Sequence, residues 1–296
     1  DNDSCCGASA AAPVKLEYTP QGKIEKLPNG TDCCEFWFLS VPSSLACSSS
    51  PACPTDRRRA PPIKQNKTDF VGAPTKAALV MVPDIFGIHE FKQSTQVADR
   101  LAAAVPGLGV AQPDVFRGAP WKMSEFPPTD KAKFMAFIGA HPYDAENVKG
   151  DMKQAFESLE ARAAGGEEGG GGGLKRLSLG FCWGALMACE ANADALTRVA
   201  ASAGCHPTFF GREAEIGAKL RGPVILVPTK GDPGEAVVEA AKKASLPFAS
   251  ECVVAPFPDQ VHGFMAARGD YSDAKVREAA GAAVGAVAEF FAKVIG

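Results

Sequence analysis

Residues 180–184 read Gly180-Phe181-Cys182-Trp183-Gly184. This is G-x-C-x-G, the pattern of a nucleophile elbow with cysteine in the serine position. A strand-forming run, LKRLSL at 174–179, precedes it, and a helix-forming run at 185–191 follows. Strand, sharp turn and helix are the context the motif needs, and the flanking glycines let the backbone turn tightly. The thiol then stands at a helix N-terminus, where the dipole favours thiolate. The competing reading is a buried, inert cysteine beside a glycine turn, and the rest of the chain has to decide between them.

On either side, short apolar runs alternate with helical patterns. AALVMV at 77–82 is continuously apolar, as in a parallel strand buried on both faces. Further strands are expected at 109–113, 199–203, 223–227 and 252–255, and helices at 91–105, 144–164, 236–244 and 273–295. Strands alternating with helices predict an α/β fold, a mainly parallel sheet with helices on both faces. Residues 1–34 are expected as a polar surface segment and 35–296 as one domain. EFWFLSV at 35–41 reads as an early strand whose Phe36, Trp37 and Phe38 are expected to pack in the core. The Ser/Pro/Arg-rich stretch 42–74 is expected to be a loop insertion, and Arg57-Arg58-Arg59 within it reads as solvated loop. The glycine run 165–173 lacks the G-K-[ST] of a phosphate loop and precedes a strand, so it reads as a flexible linker.

The 296 residues are 46% hydrophobic and 22% charged with net charge −3, an ordinary balance for a globular chain. It gives no reason to expect nucleic acid or an anionic membrane as partner, and no apolar run is long enough to span a bilayer. Ten cysteines include the adjacent pairs Cys5-Cys6 and Cys33-Cys34, with Cys47 and Cys53 between prolines and serines. Such spacing in a chain this long predicts thiols in a reducing compartment rather than a disulfide framework. It is also poor for zinc, the alternative use of the pairs. No apolar signal-peptide core opens the chain. A cytoplasmic setting is expected, with an organellar one after removal of a transit peptide left open. No metal or cofactor is expected, and a monomer is favoured.

A thiol nucleophile needs a base, and the base needs an orienting group. Of the four histidines, His262 falls just after the last expected strand, at the carboxyl end of the sheet where sites collect in open α/β folds. Asp232, in Thr229-Lys230-Gly231-Asp232, follows the strand at 223–227. Cys182, Asp232, His262 is the nucleophile–acid–histidine order of the α/β-hydrolases. The oxyanion hole of that fold takes one N–H from the residue after the nucleophile, here Trp183. The other comes from the loop after an early strand, here Ile85 of Pro83-Asp84-Ile85-Phe86-Gly87, with Phe86 the alternative. His206 follows a strand and is a candidate for shaping the pocket. His89 is expected to pack or cap, and His141 to lie in a loop.

With these pieces the chain resembles the dienelactone hydrolases (carboxymethylenebutenolidases) of the α/β-hydrolase superfamily. The resemblance is carried by PDIFGIHE at 83–90, PDVFRG at 113–118, GFCWG at 180–184, the Gly231-Asp232 turn and HGFMAARGD at 262–270. The early Cys-Cys pair and the Gly/Pro-rich lead are similar to the N-termini of eukaryotic members. The resemblance implies a Cys-His-Asp triad and hydrolysis of an ester or lactone through an acyl-enzyme. It also implies that Asp84, where prototype members carry a glutamate, assists thiolate formation. By the same resemblance, arginines hold a substrate carboxylate, and Arg268 and, by position only, Arg117 are the candidates. A thioesterase- or peptidase-like hydrolase changes only the pocket. The reading from another class is a non-catalytic binding or thiol-sensing protein.

Overall fold

The computed structural model describes residues 18–19, 21, 23–26, 67–163 and 173–296. Eight strands appear among them: β1 (Lys23–Lys26), β2 (Lys67–Val71), β3 (Ala77–Val82), β4 (Leu108–Pro113), β5 (Lys175–Phe181), β6 (Val199–Cys205), β7 (Val224–Val227) and β8 (Val253–Val254). The helices are α1 (Gln93–Ala104), α2 (Lys131–Gly139), α3 (Val148–Ala163), α4 (Trp183–Ala193), α5 (Glu213–Lys219), α6 (Gly234–Lys243) and α7 (Ala274–Ile295). The strands form one sheet in the order β1-β2-β4-β3-β5-β6-β7-β8. β1 and β2 run antiparallel at one end, and from β4 to β8 every pairing is parallel.

The period-2 geometry of a strand explains the two cores. In β3, Ala78, Val80 and Val82 face a cluster with Met152 and Phe156 of α3 and Leu186 of α4. Ala77, Leu79 and Met81 face the opposite cluster with Val97 and Leu101 of α1 and Val284, Val287 and Phe291 of α7. β5 sends Leu177, Leu179 and Phe181 to this second side and keeps small residues on the first. There Ser178 and Ser202 hydrogen-bond each other at 2.6 Å, and both hydroxyls lie within bonding distance of the Ala188 carbonyl. That stripe seats α4 directly against β5 and β6.

Each expected strand and helix within the described residues is present, with ends moved by a few residues. The helix expected from 144 starts at 148, because the Asp144 carboxylate accepts the N–H groups of Glu146 and Asn147 and closes a turn first. Two strands stand where none was expected. β1 falls within the polar segment 1–34, and β2 occupies 67–71 of the stretch expected to be a loop insertion up to 74. Both are short segments recruited by pairing, β2 onto β4 and β1 onto β2, rather than by their own apolar pattern. Helix α2 was also not expected. It follows Pro127 and Pro128 and is capped by Asp130, whose carboxylate accepts the Lys133 N–H at 2.9 Å. The seven-residue α5 is too short to show a helical period. The strand at 35–41, the arginine triplet at 57–59, the run 165–172 and Cys5, Cys6, Cys33, Cys34, Cys47 and Cys53 lie outside the described residues.

Candidate active site

The carboxyl edge of the parallel strands gathers the candidate residues. Asp84 follows β3, Cys182 ends the β5 turn, His206 follows β6, Asp232 follows β7, and His262 follows β8. The elbow is built by backbone geometry. The Cys182 N–H donates to the Cys205 carbonyl at 3.0 Å, adding a last rung between β5 and β6. The chain then turns through φ 54°, ψ −120° at Cys182 and enters α4. A non-glycine residue at positive φ is strained and persists only where its surroundings impose it. The glycines are needed for close approach. A Cβ on Gly180 would lie 1.9 Å from the Gly184 carbonyl oxygen, and one on Gly184 would lie 2.5 Å from the carbonyl oxygens of Val82 and Pro83.

Asp232 and His262 form a buried pair. Nδ1 of His262 lies 2.8 Å from Oδ1 of Asp232, with side chains 5% and 0% exposed. Oδ2 of Asp232 accepts the N–H of Thr229 at 2.8 Å and its hydroxyl at 2.6 Å. Burial alone would raise the Asp232 carboxyl. The hydrogen bond and charge of His262, with the two Thr229 bonds, outweigh it and hold the group below its ordinary value. The aspartate therefore stays anionic and presents one oxygen to the histidine.

Asp84 braces the loop after β3. Its Oδ1 accepts the Phe86 N–H at 2.9 Å and its Oδ2 accepts the Ala267 N–H at 3.1 Å. The Phe86 N–H is thereby occupied, and Ile85 stands beside it in the same loop. Trp183 is the first residue of α4, where an N–H has no intrahelical acceptor. The loop is tied to its neighbour as well: Nε2 of His89 lies 2.8 Å from Asp114 Oδ2, which also accepts the Gly118 N–H at 2.7 Å.

The remaining candidates separate. Arg268 is 6% exposed, with its guanidinium carbon 5.6 Å from the centre of the Phe126 ring. Arg117 instead donates to Asp151 at 3.0 Å and to the carbonyls of Val115 and Glu146, so its charge serves a buried carboxylate of α3 (Asp151 side chain 5% exposed). His206 is fully buried, with its ring 5.0 Å from that of His262. The ring of His141 packs against Phe116 and Phe137, 4.9 and 4.8 Å between centres, more than a loop position suggested.

Two threonines were missed. Thr229 holds Asp232, and Thr208, 2% exposed, places its hydroxyl 3.8 Å from the Cys182 sulfur. Their position just beyond strand ends is the only signal the sequence carries for them. None of the four described cysteines is in a disulfide. Burial, with Glu190 and Cys252 nearby, pushes the Cys189 thiol up to about 12, and burial raises Cys205 as well. Among the described residues no group of three or more His, Cys, Asp or Glu could hold a metal ion, and no helix is long and apolar enough to cross a membrane.

This sheet order, with an elbow after β5, is that of an α/β-hydrolase. The chain belongs to the dienelactone hydrolase family, whose model matches residues 69–295. It is 28% identical over 221 residues to an uncharacterized AIM2 family protein of Schizosaccharomyces pombe, covering 71% of this chain and 81% of that protein. Among solved structures it is similar to a dienelactone hydrolase-like promiscuous phosphotriesterase from metagenomic libraries (TM-score 0.53, 16% identity, 78% of this chain and 94% of that one). It is also similar to the acylaminoacyl peptidase of Pyrococcus horikoshii (TM-score 0.51, 11% identity, 77% and 39%). At these identities the two structures establish the fold alone.

Proposed function

We propose that this protein hydrolyses a lactone or small carboxylic ester, without a cofactor, through Cys182, His262 and Asp232. The observation that carries the reading is the buried Asp232–His262 pair at the same sheet edge as the strained Cys182 elbow. With Nδ1–H donated to Asp232, the Nε2 of His262 is left as the base. It takes the Cys182 proton, and the sulfur bonds to the substrate carbonyl carbon. The carbonyl electron pair moves to oxygen, where the Ile85 and Trp183 N–H groups receive it. As the intermediate collapses, the ester C–O bond breaks and the alcohol leaves with the proton from His262. Water then gives a proton to His262, its oxygen bonds to the acyl carbon, and the thiolate departs. From a lactone, acid and alcohol remain in one molecule.

Asp84 is assigned the bracing of the oxyanion loop, because each of its oxygens already accepts a backbone N–H, and deprotonation of the thiol is assigned to His262. Arg268 is the cation assigned to a substrate carboxylate, and His206 shapes the base's surroundings. A thiol sensor has no use for an oriented proton shuttle, which favours hydrolysis over that reading. The test is turnover of p-nitrophenyl esters and a dienelactone by wild type and Cys182→Ala, with intact-mass detection of an acyl adduct. We expect a loss of about a thousandfold or more and an adduct only when Cys182 is present. Unchanged turnover in Cys182→Ala would sink the assignment.

A further inference from the structure

The turn after β6 touches the nucleophile through a residue that the triad does not include. The Thr208 N–H donates to the Cys182 carbonyl at 3.1 Å, and the Thr208 hydroxyl oxygen lies 3.8 Å from the Cys182 sulfur. Two residues earlier, His206 is pinned by its own N–H to the Val227 carbonyl at 2.8 Å and sets its ring edge-on to that of His262. The position of Thr208 is thus fixed from both sides, by β7 through His206 and by the elbow itself. A buried hydroxyl beside a sulfur has two useful states. It accepts from the thiol S–H, and after ionisation it rotates to donate to the thiolate. Hydrogen bonds to ions are stronger than those between neutral groups, so the second state is favoured and the thiolate gains. The triad histidine exchanges its proton in both halves of the cycle, with the leaving alcohol and then with water, so it gives the sulfur no constant donor. The sulfur again bears charge when the acyl group is released to water, and a hydroxyl acts on it there without exchanging a proton.

We propose that Thr208 is a further catalytic residue, its hydroxyl donating to the Cys182 thiolate both before attack and as the acyl-enzyme breaks down. The proposal rests on Cys182 being the nucleophile, and the experiment separates the two. The ionisation of Cys182 is followed without substrate, as the ultraviolet thiolate absorbance of each protein minus that of its Cys182→Ala counterpart, across pH. Thr208→Val keeps the shape and removes the hydroxyl, Thr208→Ala removes it with less bulk, and Thr208→Ser retains it. The midpoint should rise by about one pH unit in Val and Ala and stay with wild type in Ser. The acid limb of kcat/KM should move by the same amount, and deacylation should slow by roughly tenfold in Val and Ala. A Val or Ala variant that titrates at the wild-type midpoint overturns the role of Thr208. So does a Ser variant shifted as far as Val, since the methyl group would then be responsible. Neither result touches the nucleophile assignment, which falls only if Cys182→Ala retains ester turnover.

Discussion

The Asp84 carboxylate accepts the backbone N–H of Ala267, 183 residues away in the chain, at 3.1 Å. Its other oxygen accepts Phe86, so one side chain ties the loop after β3 to the loop carrying His262 and Arg268. In Asp84→Asn one of the two N–H groups faces an amide NH2 in place of an acceptor. Losing a charge-assisted bond of this kind costs about 1.5–3 kcal/mol. We expect kcat on activated esters to fall roughly tenfold to a hundredfold with the thiolate midpoint of Cys182 unmoved. A midpoint displaced upward by a unit or more would show instead that Asp84 acts on the thiol, as the family resemblance implied.

Asp232→Asn should be more damaging for a reason visible in its partners. Thr229 offers two donors to Oδ2, so the asparagine must turn its oxygen toward Thr229 and its NH2 toward His262. Nδ1 then becomes an acceptor and the ring proton moves to Nε2, the wrong tautomer for a base. A loss in kcat of about 10³–10⁴-fold is expected with little change in KM. The same pair gives a pH signature in stability. The folded-state pKa of Asp232 is depressed, so its stabilisation is full above the ordinary carboxylate range and is lost as pH falls through the folded value. The stability gap between wild type and Asp232→Asn, measured by urea melts, should therefore narrow below about pH 4. A gap that is constant down to about pH 2, below the ordinary carboxylate range, would contradict this.

The legible parts of the fold were those in which one local pattern suffices. AALVMV announces a strand buried on both faces, and 273–295 shows a helical period over many turns. β2, KTDFV, carries no such pattern, because it is positioned by β4 and contributes two buried polar residues, Thr68 and Asp69. At the site, glycines and order in the chain revealed Cys182, Asp232 and His262 as candidates, since those constraints are local. Thr208 and Thr229 were not legible. A threonine beyond a strand end looks the same whether it touches solvent or a thiol, and only the turn geometry of β6 and β7 decides. Arg117 shows the converse. Its place in PDVFRG suggested a substrate cation, but its partner Asp151 lies on a helix 34 residues on.

Glycine substitutions test the elbow independently of activity. Gly184→Ala would place a methyl 2.5 Å from two backbone oxygens of the β3 end, which cannot move without opening the sheet. We expect about 3 kcal/mol of destabilisation, read as a Tm lower by roughly 5–10 °C. Gly281 is exposed within α7, and a Cβ added there would meet nothing within 4 Å, so it should behave oppositely. Gly281→Ala removes backbone entropy from the unfolded chain and should stabilise by about 0.5–1 kcal/mol. Equal Tm values for the two variants would mean that α4 does not approach β3 as closely as described.

Arg117→Met separates a brace from a substrate contact. The guanidinium satisfies Asp151, which is 4% exposed, and reaches across to the carbonyls of Val115 and Glu146. Methionine keeps much of the stem and removes every donor, leaving a buried carboxylate without this partner. The expected result is a loss of about 1–3 kcal/mol in unfolding free energy, with KM for carboxylate-bearing and neutral esters unchanged in ratio. Arg268→Met is expected to act on that ratio. Its guanidinium is buried beside Phe126 on the loop that Asp84 braces, so the ratio of the two KM values should rise roughly tenfold or more, in line with a charge-assisted bond. If the Arg117 variant instead shifts that ratio and leaves stability intact, the two arginines exchange roles.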